Sequence, residues 1–523
     1  MKALLPLVLC CLPALAAAKT IPYAIVIGNN APPSEESGLL PLRYADDDAV
    51  RYHHLFRGLD ADTRLLTVLD SETQRRHPAL AASTLPPTLA NLLAAVDDFV
   101  RKMEADRKRG DMPVFYLTFS GHGVRPEQGA PFLALIDGEI TQELLAKRIL
   151  AKLPARYSHL LIDACHAGGV VGVRGSLFAQ EVDAHTVAVK PREVAAALDT
   201  QSILHIPTVG VLLATTSGQE AHEWSQYQGG VFTHEVISGL LGAADVNGDH
   251  KIEYSELHAF VAAANRDLAD PRALPHVVAQ PPAADQNAPL INLDQMHHAT
   301  LLSGRFASLG AFHIELANGL RYLDAHLGAD LLTTLVLPKG GRALLLSPDA
   351  EAELILDGKP ITVERLSRKR PETTSRGALE LTYRSGLFAS EFSIGYYRGF
   401  VDSSGALGVS FERPEIAMNE RRSAVYRRPL ASALFTTAGV LTAACIITTI
   451  DLALQVRPDF DRMQLPQAAS GASERLTNDL GAAIGTGIGA LLTGVAGALL
   501  WPRGARRSAL VGSANGLYPQ FSW

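Results

Sequence analysis

Five short apolar runs constrain this chain most: Tyr23–Gly28, Arg64–Leu69, Val114–Phe119, His159–Asp163 and Val209–Thr215. Runs of this kind, little broken by polar alternation, suit strands buried on both faces, as in a parallel sheet covered by helices. Between the second and third runs, Leu89, Leu92, Leu93, Val96, Phe99, Val100 and Met103 recur at helical spacing. They form one apolar face, and a helix with such a face packs on a sheet. The chain therefore reads as an alternating α/β structure, and its 523 residues exceed what a single core usually accommodates.

Chemistry gathers at the ends of two runs. Ser120-Gly121-His122-Gly123 follows the third, and Asp163-Ala164-Cys165-His166-Ala167-Gly168 closes the fourth. Functional groups in open parallel sheets collect where the carboxyl ends of neighbouring strands form a crevice. A thiol and an imidazole there can act as nucleophile and general acid/base, provided backbone donors hold the oxyanion. Gly123 and Cys165 can supply those N–H groups, and the flanking glycines let a substrate backbone approach closely. A buried Cys alone is more often a small core hydrophobe, and Ser-Gly-His-Gly alone is often a turn. Their joint occurrence favours a dyad. His166 follows Cys165 directly and points away from it if the extended chain continues, so it is read as structural.

With these motifs in view, the segment from about Ile21 to about Leu293 resembles the caspase-fold cysteine peptidases, and within them the bacterial metacaspase-like (orthocaspase) branch. The similarity rests on Tyr23–Gly28, Tyr44–Ala49, Val114–Phe119 before Ser-Gly-His-Gly, Asp-x-Cys-His-x-Gly, Leu213–Ala221 and Gly229–Thr233. The resemblance implies a cysteine endopeptidase with His122 as general acid/base and Cys165 as nucleophile. It assigns Asp163 to a substrate-binding pocket, with Asp48 as a second acidic contributor, and so implies polypeptide substrates cut after Arg or Lys. Carboxylate contacts of bidentate form would favour Arg. Asp46 and Asp47 suit an N-terminal helix turn equally well. A catalytically inactive caspase-like scaffold is the alternative, although a scaffold has no chemical need for His, Cys and pocket Asp together. Arg174, Lys190 and Arg192 lie where caspase-type enzymes are often cut, but an ordinary surface loop explains them more simply.

The chemistry requires no cofactor. One loop nevertheless has the spacing of a Ca²⁺-binding EF-hand: in Asp245–Glu256, oxygen-bearing residues fall at loop positions that include Asp245, Asn247, Asp249 and Glu256. His250 stands where such a loop normally has Gly. Ca²⁺ binding and a solvated Asn-Gly turn both fit this segment.

The expected fold class is α/β: a caspase-like, mostly parallel sheet sandwiched by helices, then a small β-rich domain and a two-helix transmembrane hairpin. Residues 1–18 read as a cleaved signal peptide, from the apolar run Ala3–Leu15 and the small residues Ala16–Ala18. The peptidase domain spans 19–294, a β-rich domain of unknown role 300–425, the hairpin 430–501 and a tail 502–523. Leu430–Ile450 and Leu480–Trp501 are each long enough to cross a bilayer, and Gly481, Gly485 and Gly489 give the second a small-residue face. The signal predicts a membrane-anchored protein of the bacterial envelope with its peptidase domain exported, although the Arg-rich outer flanks count the other way. Once the signal is gone, Cys165 and Cys445 remain and suggest no disulfide framework. A net charge of −7 gives no reason to expect nucleic acid as a partner.

Overall fold

The computed structural model describes residues 18–34, 37–173, 194, 202–215, 223–270, 273–367, 383 and 386–411. The signal peptide, Arg174, Lys190, Arg192, Cys445, the two long apolar stretches and the tail fall outside these residues.

The principal sheet contains β1 (Thr20–Asn29), β2 (Asp62–Thr67), β3 (Met112–Gly121), β4 (Tyr157–Asp163), β5 (Val209–Thr215) and β6 (His276–Gln280), in the order β6-β5-β4-β3-β1-β2. Strands β1 to β5 run parallel. Helix α1 (Ala45–Gly58) links β1 to β2, and α2 (Leu89–Arg109) precedes β3. The local sequence sets the limits of α2. The Thr88 hydroxyl accepts from the Asn91 N–H at one end, and Gly110 closes the other at φ 88°, a left-handed conformation that glycine adopts without strain. Between these caps Leu92, Val96, Phe99 and Met103 are fully buried against Ile25, Ile27, Phe115 and Leu117 of the sheet. Each such side chain contributes about 1.5–3 kcal/mol by leaving water.

Two further helices, α3 (Val231–Ser238) and α4 (Tyr254–Asn265), follow β5. Beyond β6 come β7 (Ala299–Gly304), β8 (Ala311–Leu316), β9 (Arg321–His326), β10 (Thr333–Pro338), β11 (Arg342–Leu346) and β12 (Glu351–Ile355). Strands β8, β9, β11 and β12 form an antiparallel sheet in the order β9-β8-β11-β12, and β7 pairs with β10. Their alternating buried and open positions are those of strands with one covered face.

The fold class expected from the sequence is corrected in its sheets. The principal sheet is mixed, because β6 runs antiparallel to β5, with His276 opposite Thr215, and it is one of six sheets among the described residues. β6 begins opposite the last residue of β5 and so runs back along the edge of the sheet, a position that antiparallel strands commonly take. The expected two-helix transmembrane hairpin, residues 430–501, lies outside the described residues. No helix among the described residues is long and apolar enough to cross a membrane. The longest, α2, has 21 residues but carries Asp97, Asp98, Arg101 and Lys102 along its length, a charge load that a bilayer core does not accept.

Candidate active site

Strand register brings the two motifs together. Ser120 of β3 lies opposite Asp163 of β4, and Gly28 of β1 opposite Ser120. His122 and Cys165 are each two residues beyond that pair, on neighbouring chains whose strands are about 4.8 Å apart. Both line one cavity, together with Asp48, Asp163, Glu223 and Gly230. The closest approach is at Gly123, where a Cβ would collide with the carbonyl oxygen of Cys165.

The His122 ring is buried. Its Nε2 has no hydrogen-bond partner among the described residues, while the backbone of Leu40 bonds the ring. Burial lowers its pKa below the usual histidine value, and the Leu40 contact opposes that only in part. The ring is therefore neutral at pH 7 and can accept a proton. Cys165 is half-buried and is not in a disulfide. His166 departs from the geometry expected of it: β4 ends at Asp163, and His166 takes φ 54° before the short helix Ala167–Val170. It does not line the cavity among the described residues.

The acidic half of the site is built from α1, β4 and the start of α3. Asp48 is buried in the first turn of α1, and its Oδ2 accepts from the Ser120 hydroxyl at 2.9 Å. The Gly230 N–H donates to both of its oxygens, at 3.0 and 3.1 Å. Asp163 Oδ2 accepts from the Thr233 hydroxyl at 2.8 Å and its N–H at 3.2 Å. A Cβ on Gly230 would lie 2.7 Å from Asp163 Oδ2 and 2.9 Å from Asp48 Oδ2, so the two oxygens are no more than 5.6 Å apart, the sum of those distances. Burial pushes the Asp163 carboxyl up to about 6, partly offset by the Thr233 bonds. Burial, followed by the charge of Asp163, raises Asp48 well above the carboxylate range. Neither has a cation within 4 Å among the described residues. Two buried carboxylates with no contacting cation favour a cationic guest.

The neighbouring acids have other duties. Asp46 accepts from the Asn30 side chain at 2.7 Å and from the Asp70 N–H at 2.9 Å. Asp47 pairs with Arg76 at 3.1 Å. Glu223, which the sequence did not single out, accepts from the Arg43 and Tyr44 N–H groups and lines the cavity. Ser120 and Thr233 were visible only as motif members; nothing in the sequence marks them as partners of carboxylates distant in the chain.

In Asp245–Glu256 the side-chain oxygens accept from the loop's own N–H groups. Asp245 accepts from the N–H groups of Gly248, Asp249 and His250 at 2.8, 3.2 and 3.0 Å, and Asn247 Oδ1 accepts from Asp249. Asp249 accepts from the Lys251 N–H, and Glu256 caps α4 by accepting from Glu253 and Val246. His250 takes φ 66°, the left-handed conformation for which Gly is usual in such a loop. Among the described residues no group of three or more His, Cys, Asp or Glu is placed to hold a metal ion.

Comparison with known proteins gives a family. A family model described as the caspase domain matches residues 21–287. Among solved structures, a structural-genomics target protein from Geobacter sulfurreducens is 18% identical, covering 50% of this chain and 94% of its own, with a TM-score of 0.27. Caspase-1 from Spodoptera frugiperda is 11% identical, covering 42% of this chain and 67% of its own, with a TM-score of 0.23. Scores this low carry no argument about function, so the assignment rests on the family match alone. No curated protein matches the chain.

Proposed function

Because the chain belongs to the caspase-domain family of cysteine peptidases, we propose that it is an endopeptidase that cuts polypeptides after Arg or Lys, with Cys165 as nucleophile and His122 as general acid/base. The observation that supports this is that β3 and β4 end together, Ser120 opposite Asp163, and that His122 and Cys165 line one cavity with Asp48 and Asp163.

In the proposed cycle the Cys165 Sγ–H proton passes to Nε2 of His122, which has no hydrogen-bond partner among the described residues, as sulfur attacks the scissile carbonyl. The N–H groups of Gly123 and Cys165 take the developing oxyanion. His122 then returns the proton to the leaving amine, leaving a thioester. Water attacks that thioester with His122 again accepting the proton, and the acid product and the thiol are released. The guanidinium or ammonium of the substrate sits between Asp163 and Asp48, and supplies the cation that these carboxylates lack. This is the preference that the resemblance to metacaspase-like enzymes implies.

The test is hydrolysis of fluorogenic peptides that differ only in the residue before the scissile bond. Release after Arg, weaker release after Lys and loss of both in Cys165→Ala are expected. Cleavage after Asp with none after Arg would overturn the pocket assignment, and activity unchanged in Cys165→Ala would overturn the dyad.

A further inference from the structure

A second cavity, of about 420 Å³, is walled by α1, the C-terminal end of α3 and the strands β7, β9 and β10. Its volume lies in the range of about 300–1,000 Å³ that small-molecule sites occupy. Much of the wall comes from residues beyond 287, outside the segment that matches the caspase domain. The body of the cavity is apolar, with Ile237, Leu241, Val336 and Leu337 on its surface. Its charges are all of one sign: Arg51, Arg57 and Lys339 line it, and no Asp or Glu does among the described residues.

Those cations make no direct ion pair among the described residues. None of the three has a carboxylate within 4 Å among the described residues. The case of Arg51 is the sharpest because it is buried, 8% exposed. Its guanidinium donates to His234 Nδ1 at 2.9 Å, to the Tyr227 carbonyl and to the Arg321 carbonyl at 3.4 Å, all neutral acceptors. Guanidinium nitrogen can only donate, so His234 Nδ1 must be the unprotonated nitrogen, and Nε2–H donates to Asp324 Oδ2 at 2.7 Å. Asp324 in turn is held by Arg321, so its charge is already matched. Asp48, Asp47 and Asp324 act on this buried cation only from beyond contact distance, and an anion that reaches it from the cavity adds the charged contact it does not have. His54 and His77 stand at the rim with ring centroids 5.4 Å apart. Surrounding protein lowers both rings below the usual histidine value, so at pH 7 they offer N–H donors and not charge.

We propose that this cavity binds a small amphipathic anion, a carboxylate on an aliphatic body, with its head at Arg51, Arg57 and Lys339 and its tail along Ile237, Leu241, Val336 and Leu337. Apolar wall and one-signed charge select the two halves of such a molecule separately. A short anion loses the wall, and a long cation is repelled at the head.

Calorimetry on the full-length Cys165→Ala protein reads binding without turnover, so its result does not depend on the peptidase assignment. Decanoate is expected to bind saturably at one site with a Kd of about 100 µM or lower, with acetate at least about tenfold weaker. Decyltrimethylammonium is expected not to compete. Arg57 and Lys339 are exposed, so the Arg57→Glu/Lys339→Glu double variant should fold with an unchanged melting temperature and bind decanoate about tenfold or more weakly. Should that variant melt early, Lys339→Gln serves instead, with a smaller loss. Absence of saturable decanoate binding, equal binding of the ammonium analogue, or affinity unaffected in well-folded charge variants would each overturn the proposal.

Discussion

Replacing Asp163 by Asn should make the protein more stable and less active at once. Asp163 accepts two bonds from Thr233, and an amide oxygen in its place can accept the same two. What Asn cannot do is ionise. The folded-state carboxyl is raised from an ordinary 3.8 to about 6 by burial, so the folded protein holds the proton more tightly than the unfolded chain. A raised pKa gives stability that is fully present below about pH 4 and is lost as pH climbs through about 6. Two pKa units correspond to about 3 kcal/mol, an upper bound because Asp163 still opens onto the cavity and water there screens it. At pH 8 the Asn variant is therefore expected to exceed the parent by up to about 3 kcal/mol, with the advantage gone near pH 4. Loss of one partner from a buried charge contact costs about 2–5 kcal/mol, so kcat/KM for an Arg peptide should fall by about 30-fold to several thousand-fold. Melting curves at pH 8 and pH 4, set beside hydrolysis of Arg peptides, check both halves. A variant no more stable at pH 8 than at pH 4 relative to the parent, or one that keeps full activity on Arg, would refute the reasoning.

Further outcomes rest on the same contacts. As pH falls through about 6, Asp163 takes up a proton, so kcat/KM for Arg peptides should fall about tenfold per unit on the acid side; a profile flat down to pH 5 would contradict this. Gly230→Ala has an allowed backbone conformation at φ −65°, ψ 137°, but its Cβ meets both carboxylates, so KM for Arg should rise about tenfold or more in steady-state assays with little change in fold by circular dichroism. Phe99→Ala empties a fully buried site between α2 and the sheet and should cost about 3–5 kcal/mol in urea unfolding, while kinetics of the remaining folded fraction stay unchanged. Thr88→Ala removes the cap of α2 and should cost about 1 kcal/mol in the same measurement.

Much of the scaffold is legible in the linear order of residues. The apolar runs mark β1, β3, β4 and β5 because strands buried on both faces need apolar side chains throughout, and Leu92, Val96, Phe99 and Met103 mark the inner face of α2 because a helix repeats its face every three to four residues. His122 and Cys165 stand out for a related reason: each lies just past the end of a strand, and strand ends are where such sheets expose chemistry. What periodicity cannot express is pairing between segments far apart in the chain. The return of β6 along the sheet edge depends on where α4 delivers the chain. The site's acidic wall depends on contacts of Asp48 with Ser120 and Gly230, 72 and 182 residues away, and of Asp163 with Thr233, 70 residues away.

By itself, then, the sequence determined the alternating strands, the helix that covers them and the positions of a thiol and an imidazole at strand ends, because these arise from local periodicity and from residue chemistry. Only the tertiary structure decided that Asp48 and Asp163 meet at Gly230, that the oxygens of Asp245–Glu256 accept from their own backbone, and that Arg51 lines a cavity with no Asp or Glu in its wall among the described residues. Burial and long-range hydrogen bonding set those outcomes, and both are properties of packed surfaces that no single segment carries.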